Sequence, residues 1–313
     1  MLNLLFIIFG LVLLAAGGEV LVAGASNFAK VFGIKPIIIG LTIVAFGTSM
    51  PEAFVSILSA VDGKNDIALA NVVGSNIFNI LFILGLSALI RPLKVEHQSV
   101  KREIPFIIGS AFLTWILCAD GILSRVDGIV LLLTFGVFLF ICIRTAGVNE
   151  IEENNHSKKS GQKSIKDFCL IALSLALLAV GAKLLLTGSV SVARNFGVSE
   201  LFIGLTIVAA GTSLPELAAS AIASMRGKDD IAVGNVTGSN IFNCTFILGL
   251  SAVIHPLSAG DLILNRDIVV MAAVSLLALP ILKSGFRVSR LEGLCLLALY
   301  IGYTYYLIKN SSV

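Results

Sequence analysis

Charge is what this sequence has least of: Asp, Glu, Lys and Arg make up 13% of its 313 residues, against 57% hydrophobic residues. Few soluble folds survive with so little charge. The apolar runs repeatedly reach the ~20 residues that a helix needs to cross a bilayer. The ~10-residue alternating segments of a membrane barrel are absent, which leaves an all-α membrane protein. Cysteine is also sparse: Cys118, Cys142, Cys169, Cys244 and Cys295 stand singly in apolar segments without a CxxC or Cys/His cluster. They read as small buried apolar side chains with no metal or redox role. No nucleotide-binding loop, nucleophile constellation or soluble domain is apparent, so no enzyme and no cofactor are expected. The net charge of +3 makes no case for nucleic acid, and no obligate protein partner is implied. Ala23-Gly24-Ala25 resembles a cleavage site, but no positive charge precedes the first apolar run and that run is too long for a signal peptide. It reads as a retained first helix.

Apolar segments fall near 3–26, 36–60, 67–90, 104–119, 126–144, 167–188, 201–224, 231–254, 267–283 and 289–309, giving ten transmembrane helices. The polar stretch 145–166 reads as a linker between two halves, 1–144 and 167–313. The halves repeat one another at a shift of 164. GLTIVAFGTSMPE (residues 40–52) returns as GLTIVAAGTSLPE (204–216) with 11 of 13 positions identical, and 17 of the 22 residues from Asp66 to Ser87 match their mates at 230–251. Five helices per repeat is an odd number, so the second copy enters the membrane from the opposite side. Inverted repeats of this kind place a substrate site at midplane, where the halves meet. With both termini outside, 16 Lys/Arg fall on inner loops and five on outer ones, while Lys183 stays within the sixth span. That is the positive-inside bias expected of a multi-pass protein of the plasma (inner) membrane.

The chemistry concentrates in the repeated motifs at 40–52, 71–79, 204–216 and 235–243. Pro51 lacks an amide hydrogen and its ring clashes with the carbonyl of Gly47, so the helix should kink or unwind near Ala45 to Ser49. Pro215 does the same beside Thr212, Ser213 and Glu216. Thr48 and Glu52 share a face next to the break. The following helix offers Asn71, Ser75 and Asn79 at four-residue spacing, mirrored by Asn235, Ser239 and Asn243. Carboxylates, amides, hydroxyls and freed carbonyls are hard oxygen donors, a set that suits Ca²⁺ and Na⁺ and disfavours zinc, copper or iron. Small and hydroxyl residues often only allow close helix packing, and Asn71 and Asn235 read as support or interhelical glue. Glu52 and Glu216 do not fit that role: each is a mid-span carboxylate without a basic neighbour in sequence. Glu19, whose mate is Lys183, reads as a snorkelling or paired charge near a helix end. Asp62, Asp66, Asp120, Asp127, Asp229 and Asp230 read as caps or loop charges.

GTSMPE, GTSLPE and the two GSNIFN segments resemble the α-repeats of the cation/Ca²⁺ exchanger superfamily, particularly prokaryotic sodium/calcium exchangers, over the whole chain. The resemblance implies ion ligation by Thr48, Ser49, Glu52, Ser75 and Asn79, by Thr212, Ser213, Glu216, Ser239 and Asn243, and by the carbonyls of Ala45 and Ala209. It also implies that the first and sixth helices slide against the core. In members of the family the position of Asn243 can carry aspartate; here both repeats carry asparagine. Two carboxylates neutralise one Ca²⁺, two Na⁺ or two protons, whereas three Na⁺ leave a net positive site in low-dielectric surroundings. The expected function is a Ca²⁺/Na⁺ antiporter, with a Ca²⁺/H⁺ antiporter as the alternative and a passive cation channel or an inert scaffold behind it. Two neighbouring carboxylates repel unless a cation lies between them, so protons are expected to compete with Ca²⁺ at Glu52 and Glu216.

Overall fold

A computed structural model describes residues 2–145, 160–197 and 209–310. Apart from four two-residue strands, the described elements are helical. In chain order they are α1 (Leu2–Phe32), α2 (Pro36–Thr48), α3 (Met50–Val61), α4 (Asn65–Ile90), α5 (His97–Leu117) and α6 (Arg125–Thr145). Then come α7 (Ser160–Asn195), a single turn at Ala209–Gly211, α8 (Leu214–Met225), α9 (Asp229–Ile254), α10 (Ile268–Lys283) and α11 (Arg290–Asn310). Seven of the described helices are long and apolar enough to cross a membrane, and the bent pair α2–α3 counts as an eighth. Lys101, Arg102 and Glu103 in α5 lower its hydropathy, and 201–208, the start of the expected seventh span, lie outside the described residues. The expected linker is shorter at its end, because 160–166 form the first turns of α7, while 146–159 lie outside the described residues.

α4 and α9 are the centre of the molecule, with 72% and 78% of their apolar windows buried, against 33% for α1 and 28% for the apolar part of α7. The sequence explains the difference. α4 and α9 carry glycine, serine and asparagine among their Val and Ile, so neighbouring backbones approach closely. At Gly238 a methyl group would stand 2.5 Å from the Leu41 carbonyl oxygen and 2.7 Å from Ala45 Cβ, so only glycine lets α2 lie on α9 there. α1 and α7 pack on each other along glycines such as Gly10, Gly17 and Gly181, and turn their large apolar side chains outward.

Two small antiparallel clips tie early segments to late ones. β1 (Leu93–Lys94) pairs with β4 (Arg287–Val288), and β2 (Ile122–Leu123) with β3 (Leu257–Ser258). The acidic residues near helix ends mostly act as expected. Asp127 accepts from Ser124 N at 2.8 Å and caps α6, and Asp120 accepts from Ile122 N at 3.0 Å. Asp229 departs from the solvated role, being buried with Lys94 N donating to it at 3.1 Å. The cysteines divide: Cys118, Cys142 and Cys244 are buried, but Cys169 and Cys295 lie exposed on α7 and α11, since a helix facing outward hides only one side.

Candidate functional site

The proline-induced break is a single residue wide. Ser49 leaves helical geometry (φ −81°, ψ 7°), α2 and α3 meet there at a bend of 48°, and Pro51 enters α3 in its first turn. Ser213 repeats the geometry (φ −87°, ψ 11°) ahead of Pro215 in α8. A wider unwound stretch was expected; instead Ala45–Thr48 stays helical, and the Ala45 carbonyl accepts from Ser49 N at 3.0 Å and from Thr48 Oγ1 at 3.3 Å. Ala209 opens the helical turn before the second break, and 204–208 of its motif lie outside the described residues.

Each break puts a serine and a carboxylate on the first turn of the next helix, and the two breaks face each other. Ser213 Oγ donates to Glu52 Oε1 at 2.7 Å, and Ser49 Oγ donates to Glu216 Oε1 at 2.7 Å. Each glutamate is thus held by the hydroxyl of the other repeat. Ser75 Oγ joins from α4, 3.1 Å from Ser213 Oγ and 3.5 Å from Glu52 Oε1. Both glutamates are fully buried, and Glu52 Oε2, Glu216 Oε2 and Ser239 Oγ have no hydrogen-bond partner. Buried carboxylate oxygens left without donors are costly unless something positive meets them.

Asn71 and Asn235, read from sequence as support, have that role here. Asn71 Nδ2 donates to the Glu52 carbonyl at 3.2 Å and to Ser56 Oγ at 2.9 Å; Asn235 Nδ2 does the same to Glu216 O and Ser220 Oγ at the same distances. Their oxygens accept from the opposite repeat, Thr48 Oγ1 reaching Asn235 at 3.1 Å and Thr212 Oγ1 reaching Asn71 at 3.4 Å. Ser56 and Ser220 lie outside the four motifs singled out by sequence, although they recur at the repeat shift one helical turn after each glutamate. Asn79 and Asn243 lie one turn beyond Ser75 and Ser239, fully buried. Hydrogen bonds thus join Ser49, Ser75 and Ser213 to the two glutamates, and Thr48 and Thr212 to their supporting asparagines, while Ser239, Asn79 and Asn243 are buried on the same faces of α9 and α4.

The profile of the sodium/calcium exchanger protein family matches residues 2–144 and 166–309 of this chain. The chain belongs to that family. It is 41% identical over 314 aligned residues to a putative antiporter, CaxA, of Alkalimonas amylolytica, covering 98% of both proteins. It is 33% identical to the sodium/calcium exchanger MaX1 of Methanosarcina acetivorans, covering 96% of this chain and 97% of that one. Its structure superposes on that of the sodium-calcium exchanger NCX_Mj with a TM-score of 0.84 and 34% identity, over 96% and 97% of the two chains. The sodium/calcium exchanger family is one of membrane ion antiporters, and the centre of this exchanger has a matching chemistry. Two carboxylates supply up to two negative charges, and hydroxyl and amide oxygens supply neutral ligands around them. Two such negative charges balance one divalent or two monovalent cations.

Proposed function

We propose that this exchanger is a secondary active antiporter that moves Ca²⁺ against Na⁺ by alternating access at the paired glutamates. The observation that carries the reading is the pair of buried, partnerless oxygens, Glu52 Oε2 and Glu216 Oε2, in a cluster hydrogen-bonded across both repeats. Ca²⁺ and Na⁺ are substrates, held by Glu52, Glu216, Thr48, Ser49, Ser75, Asn79, Thr212, Ser213, Ser239 and Asn243 with the carbonyls of Ala45 and Ala209. The serine hydroxyls that now donate to Glu52 and Glu216 would rotate to offer lone pairs to an arriving cation.

The architecture we propose is ten crossings in two inverted five-helix repeats, 1–144 and 167–313. Residues 146–159 join them on the cytoplasmic side, and both termini lie outside the plasma (inner) membrane. The clips support the inversion. The clip β1–β4 sits at the N-terminal end of α5 and the clip β2–β3 at its C-terminal end, about 30 Å away for a 21-residue helix. α4 runs toward the first clip and α9 toward the second, so the two run in opposite directions. The charge distribution supports the assignment of the inner end.

The test is radiolabelled Ca²⁺ uptake into liposomes holding the purified protein, driven in turn by outward Na⁺ and H⁺ gradients. Uptake is expected with Na⁺, and it should fall as pH drops from 8 to 6 because protons neutralise the glutamates that Ca²⁺ needs. Uptake driven only by H⁺ would move the assignment to Ca²⁺/H⁺ exchange, which a two-carboxylate site also balances. Flux without any counter-gradient would make the protein a channel.

A further inference from the structure

Beyond the glutamates lies a knot of four asparagines, two from each repeat, all at most 2% exposed. Asn79 Nδ2 donates to Asn240 Oδ1 at 2.9 Å, and Asn243 Nδ2 donates to Asn76 Oδ1 at 3.1 Å. Asn76 and Asn240 also cross, each Nδ2 reaching the other's backbone carbonyl at 3.4 Å. Asn76 Nδ2 further lies 2.8 Å from Cys244 Sγ. A carboxamide is flat, so tying its nitrogen to one side sends its oxygen to the other. Oδ1 of Asn79 and of Asn243 are the atoms left buried and without a partner. Both residues share a helix face with Ser75 and Ser239, one turn away.

We propose that Asn76 and Asn240 are positioning residues. Each grips the amide nitrogen of the other repeat's ligand asparagine, so that Asn79 and Asn243 present an oxygen rather than an NH₂ group to the cation. The inference rests on the proposed ion site, and it explains why asparagine stands at four positions where two would ligate. Without the acceptor on Asn240, Asn79 can turn and aim hydrogens at the ion.

The test is a double-mutant cycle on Ca²⁺ half-saturation with Asn79→Ala, Asn240→Ala and both together. Each single change should raise half-saturation by roughly ten-fold, about the loss of one hydrogen-bond-strength contact to a charged group. The maximal rate should stay within about two-fold, and the double variant should be no worse than Asn79→Ala. Effects that multiply would overturn the proposal, since Asn240 would then act independently of Asn79. Should Asn240→Ala fail to fold, Asn76→Ala with Asn243→Ala runs the mirror cycle. Absence of exchange in the unmodified protein would instead fault the antiporter reading.

A second inference comes from charge at the edge of the core. Glu19 on α1 accepts from Arg226, at the end of α8, at 2.8 Å from Nη2 and 3.1 Å from Nε. The repeat shift carries Glu19 to Lys183 on α7 and carries Arg226 back to Asp62, at the end of α3. The match is structural as well: Gly63 and Gly227, which follow these residues, both turn with positive φ (71° and 66°). The mates are therefore another acid–base pair with its signs exchanged. They do not meet here. Among the described residues Asp62 reaches only Lys64, at 3.5 Å, and Lys183 makes no ion pair. The packing is unequal in the same sense, with α1 lying along α8 and, among the described residues, no comparable seam between α7 and α3. Ile222 is accordingly 9% exposed, and its mate Leu58 is 45% exposed.

We infer that Glu19–Arg226 and Asp62–Lys183 are alternate latches, one closed in each facing of the transporter. In an inverted repeat the two halves exchange conformations when access switches. The contact that α1 makes now becomes the one α7 makes later, and opposite charges wait at both places. By the proposed topology, the closed pair lies at the inner end and the open pair at the outer.

Two double-cysteine proteins test this on a background with the five native cysteines replaced: Glu19→Cys/Arg226→Cys, and Asp62→Cys/Lys183→Cys. Both pairs should cross-link with a short bis-maleimide, and Na⁺ or Ca²⁺ conditions that raise one yield should lower the other. A 62/183 pair that never cross-links, or yields that rise together, would overturn the inference. Charge reversal in the otherwise native chain is the second arm. Asp62→Lys and Lys183→Asp should each slow exchange about two- to five-fold, the range of an exposed ion pair, and the combined variant should recover. Additive slowing counts against the latch, while loss of exchange in every protein counts against the antiporter itself.

Discussion

Glutamine at position 52 or 216 is expected to reduce Ca²⁺ exchange at least about a hundred-fold. A unit charge 4 Å from another at an effective dielectric of 20 contributes roughly 4 kcal/mol, and Ca²⁺ doubles the charge it meets. The glutamine carbonyl recovers part of that as a neutral ligand. The shape of the side chain is unchanged, and the serine of the opposite repeat keeps an acceptor, so the fold should persist. Radiolabelled uptake against a Na⁺ gradient reads the loss, and thermal melting in Ca²⁺-free detergent shows that the protein is intact. Folded Glu216→Gln protein with a tenth or more of the normal flux would sink the assignment of the paired carboxylates.

The second large effect is expected at Gly238, where no ligand is touched. Valine there sets its Cβ 2.5 Å from the Leu41 carbonyl oxygen and 2.7 Å from Ala45 Cβ. Both neighbours are backbone or backbone-anchored, so neither can swing aside. Overpacking of this kind costs about 3 kcal/mol, and here it pushes α2 off α9. That movement carries Thr48 away from Asn235, to which it donates at 3.1 Å. Lower melting temperature together with little or no uptake is the expected result. Gly136→Ala, on an exposed stretch of α6 with open space around the position, should leave both unchanged. Wild-type melting and flux in Gly238→Val would mean that the α2–α9 contact does not organise the site.

Much of the centre was legible because the chain states it twice. The glutamates, serines and threonines of the two breaks follow from a proline beside a carboxylate in an apolar run, and α4 and α9 repeat the Asn–Ser–Asn stripe. What one dimension hides is the exchange of partners. Nothing in the spacing says that Ser213 holds Glu52 rather than Glu216, because that depends on how two bent segments face each other across the bundle. The break is narrower than the proline alone suggests for a local reason: Ser49 N still finds Ala45 O at 3.0 Å. A proline at the second position of a helix removes only the bond it would itself have donated. Asn76 and Asn240 sat within the matching stretch, but one residue off the polar stripe, so periodicity gave them no role. Glu19 was legible as a paired charge, though its partner, 207 residues away, was not.

The crossing of partners also sets a clock on synthesis. Glu52 and the serine that holds it are 161 residues apart. At the usual pace of about 5–20 residues per second, the ribosome needs roughly 8–30 s to make the second after the first. For that time the first half of the chain holds a carboxylate whose donor does not yet exist. During it the nascent protein has to keep Glu52 hydrated or neutral, and the cell's insertion machinery must tolerate a half-made bundle with an open polar seam.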